Sequence, residues 1–183
     1  MKGKAFGYVV KLGITLLLIT AIVAGLLGAV NYITKSKIKE NTDQKIRDAI
    51  GLVLPNADSE PESVELTESD TANGITAVYR VGDSYALELE VGGSQGNIDL
   101  MVGVDTSGVV QGVQIISHSE TPGLGAVAAS SGSKGESFRS QFVGKSGEVK
   151  VDEINALTGA TITSGAVCEA VSIAAAYVEG VQK

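Results

Sequence analysis

The chain of 183 residues contains one cysteine, no tryptophan and only 4% aromatic residues. A single cysteine excludes an internal disulfide and a cysteine-ligated iron–sulfur cluster, so a redox role would require an added cofactor. Because Cys168 lies among alanine and valine residues, we expect it to be a small buried hydrophobic side chain. Val, Ile and Leu remain plentiful, which argues against a disordered tail.

Positive charge is scarce beyond the first 33 residues. Residues 1–33 hold three of the 14 Lys and Arg residues and none of the 21 acidic ones, so the rest of the chain carries 11 basic residues and a formal charge of −10. A soluble part this acidic argues against nucleic acid as a partner. The length allows one membrane segment and one domain, since domains usually contain roughly 100–150 residues.

The stretch from Leu12 to Val30 contains no charged residue. About 20 apolar residues are needed for a helix to cross a bilayer, so residues 1–34 are predicted to form an N-terminal transmembrane anchor surrounded by lipid. The alternative is a cleaved signal peptide, but its apolar region usually has only roughly 7–15 residues, and no good A-x-A cleavage site follows here. Lysines flank both sides of the stretch, so charge alone leaves its orientation open.

Apolar residues recur at helical spacing after the anchor, which predicts an amphipathic stalk that ends before Pro55. These residues are Ile38, Ile46, Ala49, Ile50 and Val53. The acidic stretch Asn56–Thr71 is predicted to be a solvated connection. We therefore assign residues 35–71 to stalk and linker and residues 72–183 to the main domain.

Four short runs between Ile75 and Ile116 are typical of strands: ITAVYRV, YALELEV, IDLMVGVD and VVQGVQII. Glycine-containing turns separate them, which predicts an antiparallel meander with one buried face. A short helix is expected around Phe138–Phe142 and a final helix from about Gly165 to Val178. The apolar stripe of that final helix consists of Val167, Ala170, Val171, Ala174 and Val178. The predicted fold class is α+β, with a transmembrane helix followed by an antiparallel sheet and packed helices.

The segment Leu157–Val167, LTGATITSGAV, precedes the final helix. Gly159 and Ala160 leave the backbone uncovered, and the N–H groups at the start of the helix point toward the same place. Hydroxyl groups come from Thr158, Thr161, Thr163 and Ser164. This combination suits a phosphate group, while the alternative is an ordinary helix N-cap.

A second polar segment, SHSETPGLG at Ser117–Gly125, follows a predicted strand. Its proline and glycines favour a defined turn, onto which His118, Glu120 and Thr121 place polar groups. The functional interpretation is a binding loop. The alternative is that His118 and Glu120 only solvate a loop.

These segments and the blocks between them resemble the FMN-binding G subunit of the Rnf electron-transport complex. The matching blocks are the anchor followed by AVNYITKSKI, then GNIDLMVGVDTSGVVQGVQIISHSETPGLG, SQFVGK and TGATITSGAV. The resemblance implies an FMN-binding domain in which FMN is joined by a phosphodiester bond to Thr161, and a flavin transferase that makes this bond from FAD. It also implies a cofactor neighbourhood that comprises Thr158, Gly159, Ala160, Thr163, Ser164, His118, Glu120, Thr121 and Leu124, without a metal ion or a catalytic residue.

The same resemblance implies an electron relay within a complex that couples ferredoxin:NAD oxidoreduction to sodium or proton translocation. The chain has no nicotinamide fingerprint and no iron–sulfur ligand set, so it is not expected to be catalytic alone. Other membrane and peripheral subunits of the complex would be its partners. The implied location is the cell membrane, with the N-terminus cytoplasmic and the C-terminal domain extracytoplasmic.

One position departs from the family pattern. Asn155 stands where the family usually has Asp, six residues before the modified threonine, so modification is expected to be slower or to need a matched transferase. Two alternatives stay open. One is the C subunit of a sodium-translocating NADH:quinone oxidoreductase, and the other is a membrane-anchored structural or assembly module with noncovalent flavin or none.

Overall fold

The computed structural model describes residues 2–55 and 59–181, without the side chains of residues 2–9 and 36–43. The chain divides into two compact units, residues 1–44 and 45–183. The first helix, α1, comprises Lys2–Val53. Within it, Val10–Lys35 is long and apolar enough to cross a membrane and has no buried residue. This stretch contains the uncharged run Leu12–Val30, on which the predicted anchor at residues 1–34 rests.

The second unit contains a five-stranded sheet in which neighbouring strands are antiparallel and follow the chain order. The strands are β1 Glu62–Val64, β2 Ile75–Val81, β3 Ser84–Gly92, β4 Asn97–Asp105 and β5 Val110–His118. Strands β2 to β5 confirm the four runs predicted from the sequence. The meander results from tight turns, of which the β4–β5 turn is held by the Asp105 carboxylate, which accepts the N–H groups of Ser107 and Val109 at 2.8 and 3.0 Å.

The stretch expected to be an irregular connection contains two elements that the sequence analysis missed. One is β1, whose Ser63 lies opposite Tyr79, and the other is the short helix α2, Glu68–Ala72. The side chains of Thr67 and Asp70 form a capping box at its start. Residues 56–58 lie outside the described part of the chain. Both elements belong to the unit that begins at Lys45.

Two longer helices follow the sheet: α3, Ser133–Ser140, and α4, Thr161–Val181. Short 3₁₀ turns form at Gly125–Ala129 and Val151–Glu153. Helix α3 begins five residues before the predicted Phe138. Helix α4 begins four residues before the predicted Gly165, so Thr161 is its first residue. Hydroxyl residues and glycine have low helix propensity, which concealed this first turn in the sequence.

Helix α4 covers one face of the sheet and forms the main core with it. The predicted stripe is confirmed, because all five of its side chains are buried: Val167, Ala170, Val171, Ala174 and Val178. Phe138 and Phe142 join the same core with their rings edge to face at 5.5 Å. Cys168 is 3% exposed, which confirms its predicted burial.

The opposite face of the sheet is covered by the segment from residue 46 to residue 54, which comprises the end of α1 and Leu54. Its buried residues are Ala49, Ile50, Val53 and Leu54, packed with Val81, Ala86 and Met101. Gly103 and Gly112 pair across β4 and β5, and a Cβ at Gly112 would lie 2.7 Å from the Val53 Cα. The prediction of one buried face was therefore wrong. Residues 46–54 pack on the second face, which agrees with the burial of every residue of β4 from Leu100 to Val104.

Candidate functional site

The fold brings the two polar segments together at one end of the sheet. Strand β5 ends at His118, and the turn that follows it meets the first turn of α4. A cavity of about 330 Å³ lies between them and also borders the β3–β4 turn. Its lining consists of Ser94, Glu120, Thr121, Leu124, Gly125, Gly159, Ala160, Thr161, Ile162 and Thr163.

Thr161 is exposed and lines this cavity as the first residue of α4. The turn before it is tight, because Gly159 has a φ of +74° and the Ala160 N–H donates to the Leu157 carbonyl at 2.9 Å. The first N–H groups of a helix have no partner within the helix. Thr161 therefore combines an accessible hydroxyl with neighbouring N–H donors, while Thr158 and Gly159 beside it are also exposed.

The next two hydroxyl groups, those of Thr163 and Ser164, are buried. Thr163 Oγ1 donates to Glu120 Oε2 at 2.5 Å. Ser164 Oγ donates to the Ala160 carbonyl and accepts the Leu157 N–H, both at 3.0 Å. These bonds join the turn, the first helical turn and the Ser117–Gly125 segment. They give both residues a structural role, while contact with a flavin stays a prediction.

The carboxylate of Glu120 is 6% exposed and lies at the centre of this junction. Its Oε1 accepts the N–H groups of Ser94 at 2.7 Å and Gln95 at 3.0 Å, and its Oε2 accepts the Thr163 hydroxyl. Burial by itself would raise the pKa of Glu120, but these hydrogen bonds and the charge of His118 outweigh burial and lower the pKa. The side chain is therefore an anion at neutral pH.

Two glycines, which have no side chain, provide the space that this carboxylate occupies. A Cβ at Gly93 would lie 2.5 Å from Glu120 Oε1, and a Cβ at Gly125 would lie 2.5 Å from Thr163 Oγ1. The sequence predicts only a turn between β3 and β4, and the N–H donors of this turn were not among the predicted site groups. The available signal was the run GGSQG at 92–96, which is longer than a two-residue hairpin loop.

Of the other residues predicted in the loop, Thr121 and Leu124 line the same cavity, whereas His118 does not. His118 is half-buried and its Nδ1 accepts the Glu120 N–H at 3.2 Å. Thr121 is exposed, and its carbonyl accepts the Leu124 N–H at 3.1 Å. Leu124 is 46% exposed, and its side chain lies next to Gly159, whose Cβ would be 3.1 Å from Leu124 Cδ2. An apolar side chain thus lies beside the turn that precedes Thr161.

Leu124 also borders a second cavity of about 630 Å³. Its other lining residues are Gly123, Val127, Ser133, Lys134, Ser137, Phe138, Gln141, Asn155, Ala156, Leu157 and Thr158. Asn155 is held there by its backbone, since its N–H donates to Gln141 Oε1 at 2.7 Å. Both cavities fall in the range of about 300–1,000 Å³ that is usual for small-molecule sites. The residues that α3 contributes were not among the site residues predicted from the sequence.

Residues 93–176 match the family model of the FMN-binding domain, so this domain is of a flavin-binding class. Residues 1–53 match the model of the RnfG N-terminal region. The chain belongs to the G-subunit family of ion-translocating oxidoreductase complexes.

Relatives in three organisms share most of their length with this chain. It is 30% identical to the G subunit of the ion-translocating oxidoreductase complex of Methanosarcina acetivorans, with 93% of this chain and 94% of the relative covered. It is 31% identical to the G subunit of the Na⁺-translocating ferredoxin:NAD⁺ oxidoreductase complex of Acetobacterium woodii, with 96% and 94% covered. It is 32% identical to the G subunit of the proton-translocating ferredoxin:NAD⁺ oxidoreductase complex of Clostridium ljungdahlii, with 85% and 84% covered. These names favour the Rnf complex over the alternative of the quinone-reducing sodium pump.

Proposed function

We propose that this chain is the electron-relay subunit of an ion-translocating ferredoxin:NAD oxidoreductase complex and carries FMN joined to Thr161. The names of the relatives in Acetobacterium woodii and Clostridium ljungdahlii support the reaction of the complex. Thr161 is supported as the attachment point by the difference in solvent exposure between the two threonines in the first turn of α4. Thr161 is exposed in the cavity, whereas Thr163 is buried and bonded to Glu120.

The residues around Thr161 fit a phosphorylated flavin. The N–H groups at the start of α4 suit a phosphate oxygen, and the small residues Gly159 and Ala160 leave the approach to the hydroxyl open. Leu124 and Ile162 offer exposed apolar surface for a planar ring, at 46% and 63% exposure. FMN supplies one-electron and two-electron transfer, which no side chain of the protein provides.

The attachment requires FAD as co-reactant and a transferase. Thr161 Oγ forms a bond to the FMN-side phosphorus of FAD, the bridging P–O bond of the pyrophosphate breaks, and AMP leaves. The hydroxyl proton passes to a base of the transferase. An exposed threonine at a tight turn is accessible to such an enzyme, and a buried one is not.

The proposed place of the chain in the complex rests on its apolar stretch and on the orientation that the family resemblance implies. Val10–Lys35 crosses the bilayer with the N-terminus cytoplasmic, and residues 45–183 lie on the extracytoplasmic side. A covalent bond keeps the flavin from being lost there, where free cofactor is scarce. The other subunits deliver and remove the electrons, since this chain has one attachment point for one flavin.

Intact mass of the denatured full-length chain tests the proposal. The chain is produced with a flavin transferase in wild-type form, as Thr161→Ala, and as Thr106→Ala, which removes an exposed hydroxyl in the β4–β5 turn. We expect the mass increase of one FMN and in-gel flavin fluorescence in the wild type and in T106A, and neither in T161A. The comparison isolates one hydroxyl group.

Two outcomes would contradict the proposal. Flavin that leaves the wild-type chain on denaturation, or a chain that never binds flavin, would support the structural or assembly module instead. Flavin that stays bound to T161A would show that another residue forms the bond.

A further inference from the structure

We infer that Glu120 is a positioning residue, which holds the buried side of α4's first turn through Thr163 and thereby presents Thr161 on the exposed side. The inference rests on the proposed function of Thr161 as the attachment point. It differs from the expectation that Glu120 contacts the flavin, because both of its carboxylate oxygens already accept hydrogen bonds from the protein.

The carboxylate joins three segments that are far apart in sequence. Ser94 and Gln95 belong to the β3–β4 turn, Glu120 follows β5, and Thr163 lies in α4. The absence of side chains at Gly93 and Gly125 makes room for the junction, as a Cβ at either position would collide with Glu120 or Thr163. The site is therefore built around the carboxylate, and the β3–β4 turn is its fixed support.

Helix geometry converts this bond into an orientation for Thr161. Successive residues of an α-helix are rotated by about 100°, so Thr161 and Thr163 lie about 200° apart around the axis. When Thr163 faces Glu120 in the interior, Thr161 faces away from Glu120. The exposure of Thr161 and the burial of Thr163 agree with this. Ser164 lies about 60° from Thr161 around the axis and is buried by its bonds to Leu157 and Ala160 in the preceding turn.

The first turn is also the part of α4 that most needs such a restraint. Its N–H groups before that of Ser164 have no partners within the helix, and helix ends fray readily. The rest of α4 is held by its buried apolar stripe, which does not involve Glu120. Loss of the Thr163 hydroxyl leaves a buried carboxylate with one donor fewer and releases the first turn. The helix as a whole stays packed.

The rate of FMN attachment measures this orientation. Thr163→Val keeps the shape of the side chain and removes the donor, and Thr163→Ser keeps the donor. With full-length chains, transferase and FAD, and at a temperature where circular dichroism shows each variant folded, we expect T163V to be modified at least about tenfold more slowly than the wild type. We expect T163S to stay within about twofold of it.

Ser172→Ala is the matched control in the same helix. The Ser172 hydroxyl donates to the Cys168 carbonyl at 2.8 Å and accepts the Val149 N–H at 2.9 Å, away from Thr161. S172A loses a comparable bond, so we expect lower stability and an unchanged rate of attachment.

Glu120→Gln disrupts the hydrogen bond between Glu120 and Thr163 from the side of the carboxylate. We expect E120Q to be slow as well, and the E120Q/T163V pair to be no slower than the slower single variant.

A second measurement uses the unmodified chain and separates this inference from the proposed function. Amide hydrogen exchange at Leu157 and Ser164, whose N–H groups donate to Ser164 Oγ and to the Ala160 carbonyl at 3.0 Å, should speed up at least about tenfold in T163V and not in S172A. A wild type without covalent flavin would overturn the function of Thr161, while the exchange result would still decide whether the link restrains the turn. A folded T163V with wild-type attachment rate and wild-type exchange would overturn the inference alone.

Discussion

Thr161 and Thr163 lie two residues apart in one helix, have the same side chain, and are used in opposite ways. Thr161 is exposed at the edge of a cavity, whereas Thr163 is 1% exposed and donates to a buried carboxylate. The same contrast continues along α4, where Ile162 is 63% exposed and Val167 and Cys168 are buried. Residue type is therefore a poor guide to role within this segment.

The difference shows how a small domain combines a reactive position with a stable one. The buried side of α4 supplies the packing and the hydrogen bonds that hold the helix on the sheet. The exposed side of the first turn has few packing constraints, which leaves it accessible to a cofactor and to a modifying enzyme. Three predictions test this division, beginning with the largest expected effect.

Thiol reactivity gives the largest effect. Burial raises the pKa of the Cys168 thiol to about 11. An unfolded cysteine has a pKa of about 8.5, and the thiolate is the reactive form, so alkylation of native Cys168 at pH 8 should be at least about 100-fold slower than after denaturation. The measurement is the rate of iodoacetamide labelling by mass spectrometry.

A matched variant, Cys168→Ala with Ile162→Cys, places the thiol on the exposed side of α4 and should react at the rate of an exposed cysteine. Rapid labelling of native Cys168 would show that this side of α4 opens.

Truncation of apolar side chains should separate the two sides of the helix. Val167→Ala removes packing from a fully buried position and should lower the free energy of unfolding by about 2 kcal/mol. Ile162→Ala should change it by less than about 0.5 kcal/mol, although a larger side chain is truncated. Urea unfolding of both detergent-solubilised chains, followed by circular dichroism, measures the difference. Equal losses would mean that Ile162 packs in the native state.

The pH dependence of stability should give the smallest effect. Because the pKa of Glu120 is lower in the folded chain than the unfolded value of about 4.3, its carboxylate stabilises the fold above that pH. This contribution is lost as the pH falls through the folded pKa. Between pH 6 and pH 3, the wild type should therefore lose more stability than Glu120→Gln. Glu60→Gln, which removes an exposed carboxylate, should follow the wild type. Parallel curves for E120Q and wild type would contradict the assigned pKa direction.

Local pattern was sufficient for much of the fold. Alternating apolar residues and glycine turns predicted β2 to β5, and helical spacing predicted the stripe of α4. Local pattern failed where an element is short or where its partner is remote. Strand β1 has only three residues, and the burial of the second sheet face depends on Val53, which lies 50 residues before Gly103 and 59 residues before Gly112 in the chain.

The amino-acid order alone was enough to predict an uncharged stretch long enough for a membrane helix, the strands, and the two polar segments that resemble the family's site. It could not tell which threonine hydroxyl is accessible, because that depends on the rotation of α4 about its axis. The partners that set this rotation are remote: Glu120 is 43 residues from Thr163 and 26 residues from Ser94. Hydrogen bonds between such distant residues form only when the sheet and α4 have packed together. The tertiary structure therefore decided that Thr161 faces outward and Thr163 faces the core.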